Sequence, residues 1–285
     1  MSNCLFPKSL ASTFAIAGML VCVQFGYADG GKPSAPSLEI GFHEMYNLDF
    51  AAAHKTFEAW QEQHPEDPMG AAANAAAYLF SEFERMNILK IDLFTENKKH
   101  EATINHMNPD PAIKAAFDAE VAKADEMISR ILSRDSGDKN ALFAKMLSDG
   151  VRGDYAALIE RENHEGLNFL KSSRTAAEKL IGLDPNCKDA YLALGIENYI
   201  LGMRSAPTRW VLRLSGAQTN KDKGIESLKI AADKGHYLAP YARLLLAIAA
   251  LRDDDTKTAK KLLASLAREF PQNRLFRVEL ARLQS

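Results

Sequence analysis

Three His-Glu pairs are the residues in this sequence whose types and spacing first suggest chemistry: His43-Glu44, His100-Glu101 and His164-Glu165. A helical zinc-protease motif needs a second His four residues after the first, so that both imidazoles meet one metal from one turn while the Glu acts as base. The fourth position here holds Asn47, Ile104 and Asn168, so no pair completes the motif and all three read as solvated helix residues. His100 and His106 stand six apart in KKHEATINHMNPD, a loop sequence in which a metal would need ligands from elsewhere in the chain. The acids Asp253 to Asp255 lack the Gly and terminal Glu of an EF-hand loop. They read as a turn ending in a helix cap, and Asp135-Ser136-Gly137-Asp138 reads the same way. No GxSxG elbow occurs, and no Gly-rich phosphate loop follows a strand. The sequence therefore predicts no catalytic set, no metal site and no cofactor: a protein that is not an enzyme.

The N-terminus sets the compartment. Lys8 precedes the apolar run LASTFAIAGMLVCVQFGYA, which ends in small residues at Ala28. This is the pattern of a secretory signal peptide, residues 1–28, with cleavage after Ala28 and a flexible leader at 29–37. The run is shorter than the roughly 20 apolar residues of a spanning helix, so no transmembrane span is expected after cleavage. Lipid attachment at Cys22 would want a small residue before it, where Val21 stands. The expected location is periplasmic or secreted. Cys187 is then the one cysteine of the mature chain, so no internal disulfide can form and the fold rests on its core. With 47% hydrophobic residues and a net charge of −2, the chain can bury a core and carries no global basic field for nucleic acid.

Beyond the leader nearly every segment has helical period, and alternating β-branched runs are missing. Asp67-Pro68, Asp110-Pro111 and Asp184-Pro185 each place a capping side chain before a proline suited to a first turn. The pattern predicts helices over 38–46, 49–64, 68–98, 111–134, 138–151, 154–183, 188–202, 222–234, 239–252, 255–270 and 273–283. Most are joined by short turns, which implies antiparallel hairpins.

Self-similarity sharpens this. Gly41, Ala53, Phe57, Trp60 and Pro65 at the front recur in offset as Ala247, Ala259, Leu263, Leu266 and Pro271 near the C-terminus, and Gly195 in YLALG begins a third copy. These spacings resemble the tetratricopeptide repeat, a helix pair of about 34 residues with small residues where its helices cross. The resemblance covers residues 34–67, 188–236 and 240–273 and is degenerate between about 69 and 187. It implies an all-α, right-handed α-solenoid of antiparallel helix hairpins over 38–285, with long degenerate central helices. By resemblance, the first helix of each pair lines a concave side through Leu38, Phe42 and Met45, through Leu192, Ile196 and Tyr199, and through Leu244, Ile248 and Leu251. The Lys/Asn pattern with which some members clamp a terminal carboxylate is missing.

The register exposes an insertion in the third clear repeat. Its second helix, marked by Gly224, Leu228 and Ala231, arrives about 17 residues late, and the surplus is RSAPTRWVLRLSGAQTNK, residues 204–221. From Asn198 to Lys221 no residue is acidic. Thr208 is the expected cap of a short helix that Gly216 ends, with Trp210, Val211 and Leu214 on one side and Arg209 and Arg213 on another. The expected arrangement seats the apolar side on the hairpin and turns the guanidiniums outward. The concave row then has two readings, an open groove for a partner's apolar segment or a row filled by the chain itself. The candidate partner-binding residues are Arg204, Arg209, Trp210, Arg213, Phe42, Ile196, Tyr199 and Ile248. The function expected is a scaffold or adaptor binding a protein or peptide, the alternative being a binding protein for an amphipathic or anionic small ligand held beneath the insertion.

Overall fold

The structure is a computed structural model that describes residues 37–88 and 108–283. The expectations for the signal segment, the leader, His100 and His106 lie outside those residues. Twelve α-helices and no strand occur among the described residues. In order they are α1 (Leu38–Tyr46), α2 (Phe50–Gln63), α3 (Pro68–Arg85), α4 (Pro111–Arg134), α5 (Lys139–Asp154) and α6 (Asn163–Leu183). After these come α7 (Tyr191–Gly202), α8 (Ala206–Leu214), α9 (Lys221–Lys234), α10 (Ala239–Arg252), α11 (Thr256–Glu269) and α12 (Arg274–Arg282). Side chains satisfy the orphan N–H groups at many starts, as the sequence implies: Asp49, Asp67, Asp110, Asp138 and Asp255 each accept from a backbone N–H of the first turn.

Sequence neighbours pack as pairs, and three contacts skip a helix: α7 packs on α9 across α8, α3 on α5 across α4, and α1 on α3 across α2. Three of the pairs share features of one geometry. Gly41 lies under the Phe57 ring, and a Cβ on Gly195 would come within 2.7 Å of Leu228 Cγ, so both crossings need glycine for close approach. Leu48 and Asp254 each take a left-handed turn seven residues after the small residue of their hairpin, at φ 66° and 59°. The next residue, Asp49 or Asp255, caps the second helix. In the third hairpin the cap is Asn220, accepting from Lys223 N at 3.1 Å. It stands 25 positions after Gly195, against 8 from Gly41 to Asp49, which places the 17 surplus residues at 203–219.

Three boundaries differ from the sequence reading. Helix α3 ends at Arg85, where Asn87 turns left-handed at φ 56°; the expected continuation beyond residue 88 lies outside the described residues. The span expected as one helix over 154–183 is two pieces. A π-helical turn, Tyr155–Glu160, widens the chain so that Tyr155, Ala156 and Ile159 all turn inward, and Arg161 at φ 63° then breaks it before α6. Asp184-Pro185 starts no helix; Asp184 ends α6, and a 3₁₀ turn at Lys188–Ala190 leads into α7.

The ends of the described chain meet. Asn273 Nδ2 donates to Tyr46 O at 2.7 Å, Gln272 N donates to Asn47 Oδ1 at 3.2 Å, and Phe270 packs against Tyr46 with ring centroids 5.4 Å apart. The α1 hairpin is thereby joined to the α11–α12 turn.

Candidate functional site

The insertion builds a protruding helix whose orientation is the reverse of the expected one. Ser205, not Thr208, occupies the N-cap position of α8, with its hydroxyl 2.8 Å from that of Thr208, and Pro207 sits in the first turn. Gly216 at φ 81° ends the helix: Gly216 N donates to Arg213 O and Ala217 N to Leu212 O, the paired bonds of a Schellman turn. Trp210, Val211 and Leu214 share one face with Pro207 at helical spacing and are 64%, 59% and 70% exposed. The polar side does the anchoring. Arg209 donates to Gly202 O and Arg204 O at 3.3 and 3.1 Å, and Arg213 Nε donates to Thr219 Oγ1 at 2.7 Å.

The body holds the far end of the insertion. From α6, Lys171 donates to Ser215 O and Oγ, and Arg174 donates to Gly216 O. Glu197 on α7 is fully buried, pairs with Arg174 and accepts from Gln218 N at 3.1 Å. Burial pushes its carboxyl above the usual range, an effect the Gln218 N–H and Arg174 partly offset. Asn198 donates to Gln218 Oε1 and accepts from Asn220 N at 3.1 Å. Lys171, Arg174, Glu197 and Asn198 carry no sign of this role in the sequence, since none lies in the insertion.

The concave-row candidates do not join the insertion's face. Phe42, Tyr199 and Ile248 are buried, Phe42 stacking on Tyr237 at 5.0 Å, and Ile196 is half-buried. The row is therefore covered by the chain's own helices and not by α8, while Phe42, Met45, Leu192 and Ile196 of it line an inner cavity.

What remains open is a pair of adjoining cavities, the outer of which brings the candidates Ile196 and Arg204 to one space. The inner cavity, with about 50 Å³ accessible to the centre of a water molecule, lies among α1, α3, α5, α6, α7 and α10. The outer one, with about 190 Å³ accessible in the same way, is bounded by the π turn, α6, α7 and α10 and reaches Ile200 and Arg204. Asp154, Leu170, Ile196 and Tyr241 belong to both. Tyr241 Oη donates to Asp154 Oδ2 at 3.1 Å, and burial raises the Asp154 carboxyl to about 6.

The remaining polar candidates are quiet. His43 meets Asn47, and His164 meets Asn168, in contacts one helical turn long. Cys187 is half-buried, and burial pushes its thiol to about 11, away from nucleophilic range. No group of three or more His, Cys, Asp or Glu side chains is arranged to hold a metal among the described residues, and no helix there is long and apolar enough to cross a membrane. Comparison with protein-family models, curated proteins and solved structures finds no match.

Proposed function

We propose that this protein is a non-catalytic interaction scaffold, exported to the periplasm or cell envelope, that docks a partner protein on the outer face of α8. The observation that carries the reading is the outward exposure of Trp210, Val211 and Leu214 on a helix whose other side is tied down by Arg209 and Arg213. A large aromatic and two aliphatics held in water by a fixed helix cost solubility unless they are covered in use, and aromatics are the usual anchors of interfaces.

The partner's chemistry follows from the surroundings. No acid occurs between Asn198 and Lys221, and Arg204 and Arg213 are exposed beside the apolar face. The complementary surface is an apolar segment flanked by acidic residues. The repeated small-residue crossings, left-handed turns and caps support a tetratricopeptide-like, right-handed solenoid as the frame. Lys8 and the apolar run ending at Ala28 support export.

The test is a photoreactive phenylalanine analogue placed at position 210 in cells. A discrete protein adduct is expected, lost on adding Leu214→Asp and absent when the analogue sits at exposed Lys257 of α11. Adducts with lipid alone would replace the partner with a membrane surface, and no adduct at all would remove the docking role.

A further inference from the structure

We infer that the two adjoining cavities form a second, separate binding site, for a small molecule with an apolar body and a protonated amine that meets Asp154. The inner cavity is walled by apolar side chains such as Phe42, Leu79, Met146 and Val151, and Asp154 is the one charged residue that lines it. The outer cavity adds Arg204, which stands in the insertion and does not line the inner chamber. The charge at the junction is thus negative, and a ligand whose apolar body fills the inner chamber puts its polar end against a carboxylate.

The carboxylate is poorly provided for. An ionised carboxylate has about four acceptor positions. Asp154 is given one hydroxyl by Tyr241, in a setting of leucine, isoleucine and valine side chains. Burying an anion this way is costly unless a cation compensates it. An ammonium brings both the charge and up to three N–H donors, so it supplies what the junction lacks. A carboxylate ligand would meet Asp154 as a like charge, and a neutral chain would leave it uncompensated. Of the insertion's arginines, Arg209 and Arg213 line neither cavity.

The apolar docking face lies outside the site, since Trp210, Val211 and Leu214 line neither cavity, and Arg204 borders both that face and the outer cavity. Calorimetric titration of the purified chain at neutral pH tests it with three probes of one length: n-octylammonium, n-octanol and octanoate. Octylammonium is expected to bind saturably, one per chain, at least tenfold more tightly than either of the others. Asp154→Asn should remove that preference while octanol binding stays, and Trp210→Ala should leave all three titrations unchanged. Should Asp154→Asn fail to fold, Leu170→Trp, which narrows the shared junction, must weaken octylammonium at least tenfold. Equal or tighter binding of octanoate, retention of the amine preference without Asp154, or no saturable binding by any probe would overturn the assignment.

Discussion

Asn273 bonds Tyr46 across 227 positions of sequence, its Nδ2 donating to the Tyr46 carbonyl while its Oδ1 accepts from Leu275 N at 3.0 Å. One buried amide thus caps α12 and ties the last helices to the first. Asn273→Ala removes the cap and leaves a buried carbonyl unpaired, at a cost of about 2 kcal/mol. Urea unfolding should show the loss as a lower midpoint. The neighbouring ion pair of Arg274 with Glu84 has a largely exposed guanidinium, so Arg274→Ala should change the midpoint far less.

The hairpin crossings make a paired prediction about glycine. Gly195→Ala would drive a Cβ against Leu228 Cγ and, at 3.0 Å, its backbone N, so the packing cost of about 1–3 kcal/mol outweighs the gain in helix propensity. Gly182, near the end of α6, has nothing within 4 Å of the same position, and Gly182→Ala should stabilise by about 0.5–1 kcal/mol. Opposite signs in two melting curves check the pair; destabilisation by both would mean that the α7–α9 crossing is not what sets the sign.

The insertion predicts a tolerated deletion. A Cβ on Gly202 would come within 2.5 Å of Lys221 N, so the chain leaves and re-enters the hairpin at nearly one point. Removing 203–219 should restore the short turn seen at Leu48-Asp49, with a cooperative melt and helical circular dichroism preserved in the body. Some stability should be lost, because Glu197 and Asn198 lose Gln218. A non-cooperative melt would show that the insertion is part of the core.

How far the sequence could see is clear from these residues. Caps at Asp67, Asp110 and Asp255 and the period of the helices are local signals, so element order was readable, and counting between Gly195 and Leu228 located the insertion. Which way α8 faces was not readable. A helical wheel groups Trp210, Val211 and Leu214, but it cannot say whether that group turns inward. The decision rests with Lys171 and Arg174, 44 and 42 positions from the atoms they bind. Asp154 and Tyr241, 87 positions apart, carry no motif at all; only the fold brings them together.

The exposed face predicts that stability and binding separate. Trp210→Ala should alter the unfolding free energy by no more than about 0.5 kcal/mol, as surface truncations do. A loss near 3 kcal/mol, the scale of a buried aromatic, would mean that the Trp210 side chain packs against the body after all.

Asp154 predicts a pH dependence of definite sign. In the unfolded chain an aspartate ionises near 3.9, and in the fold this carboxyl ionises at about 6 because burial disfavours its charge. The folded state then holds the proton more tightly than the unfolded state. Its contribution is most favourable below about pH 4, is lost as pH rises through about 6, and stays lost above that. A shift of about two units corresponds to about 2–3 kcal/mol at full burial, reduced by whatever water the cavity admits. Asn at this position can still accept from Tyr241 and cannot ionise. Because Asp154 is a half-buried residue, the stability of Asp154→Asn relative to wild type should therefore rise by about 1–2 kcal/mol between pH 4.5 and 7 in parallel urea titrations, while the shifted carboxyls of Glu120 and Glu197 cancel from the comparison. A difference that stays flat across that window would mean the carboxyl ionises freely and that the junction carries no buried charge for a ligand to neutralise.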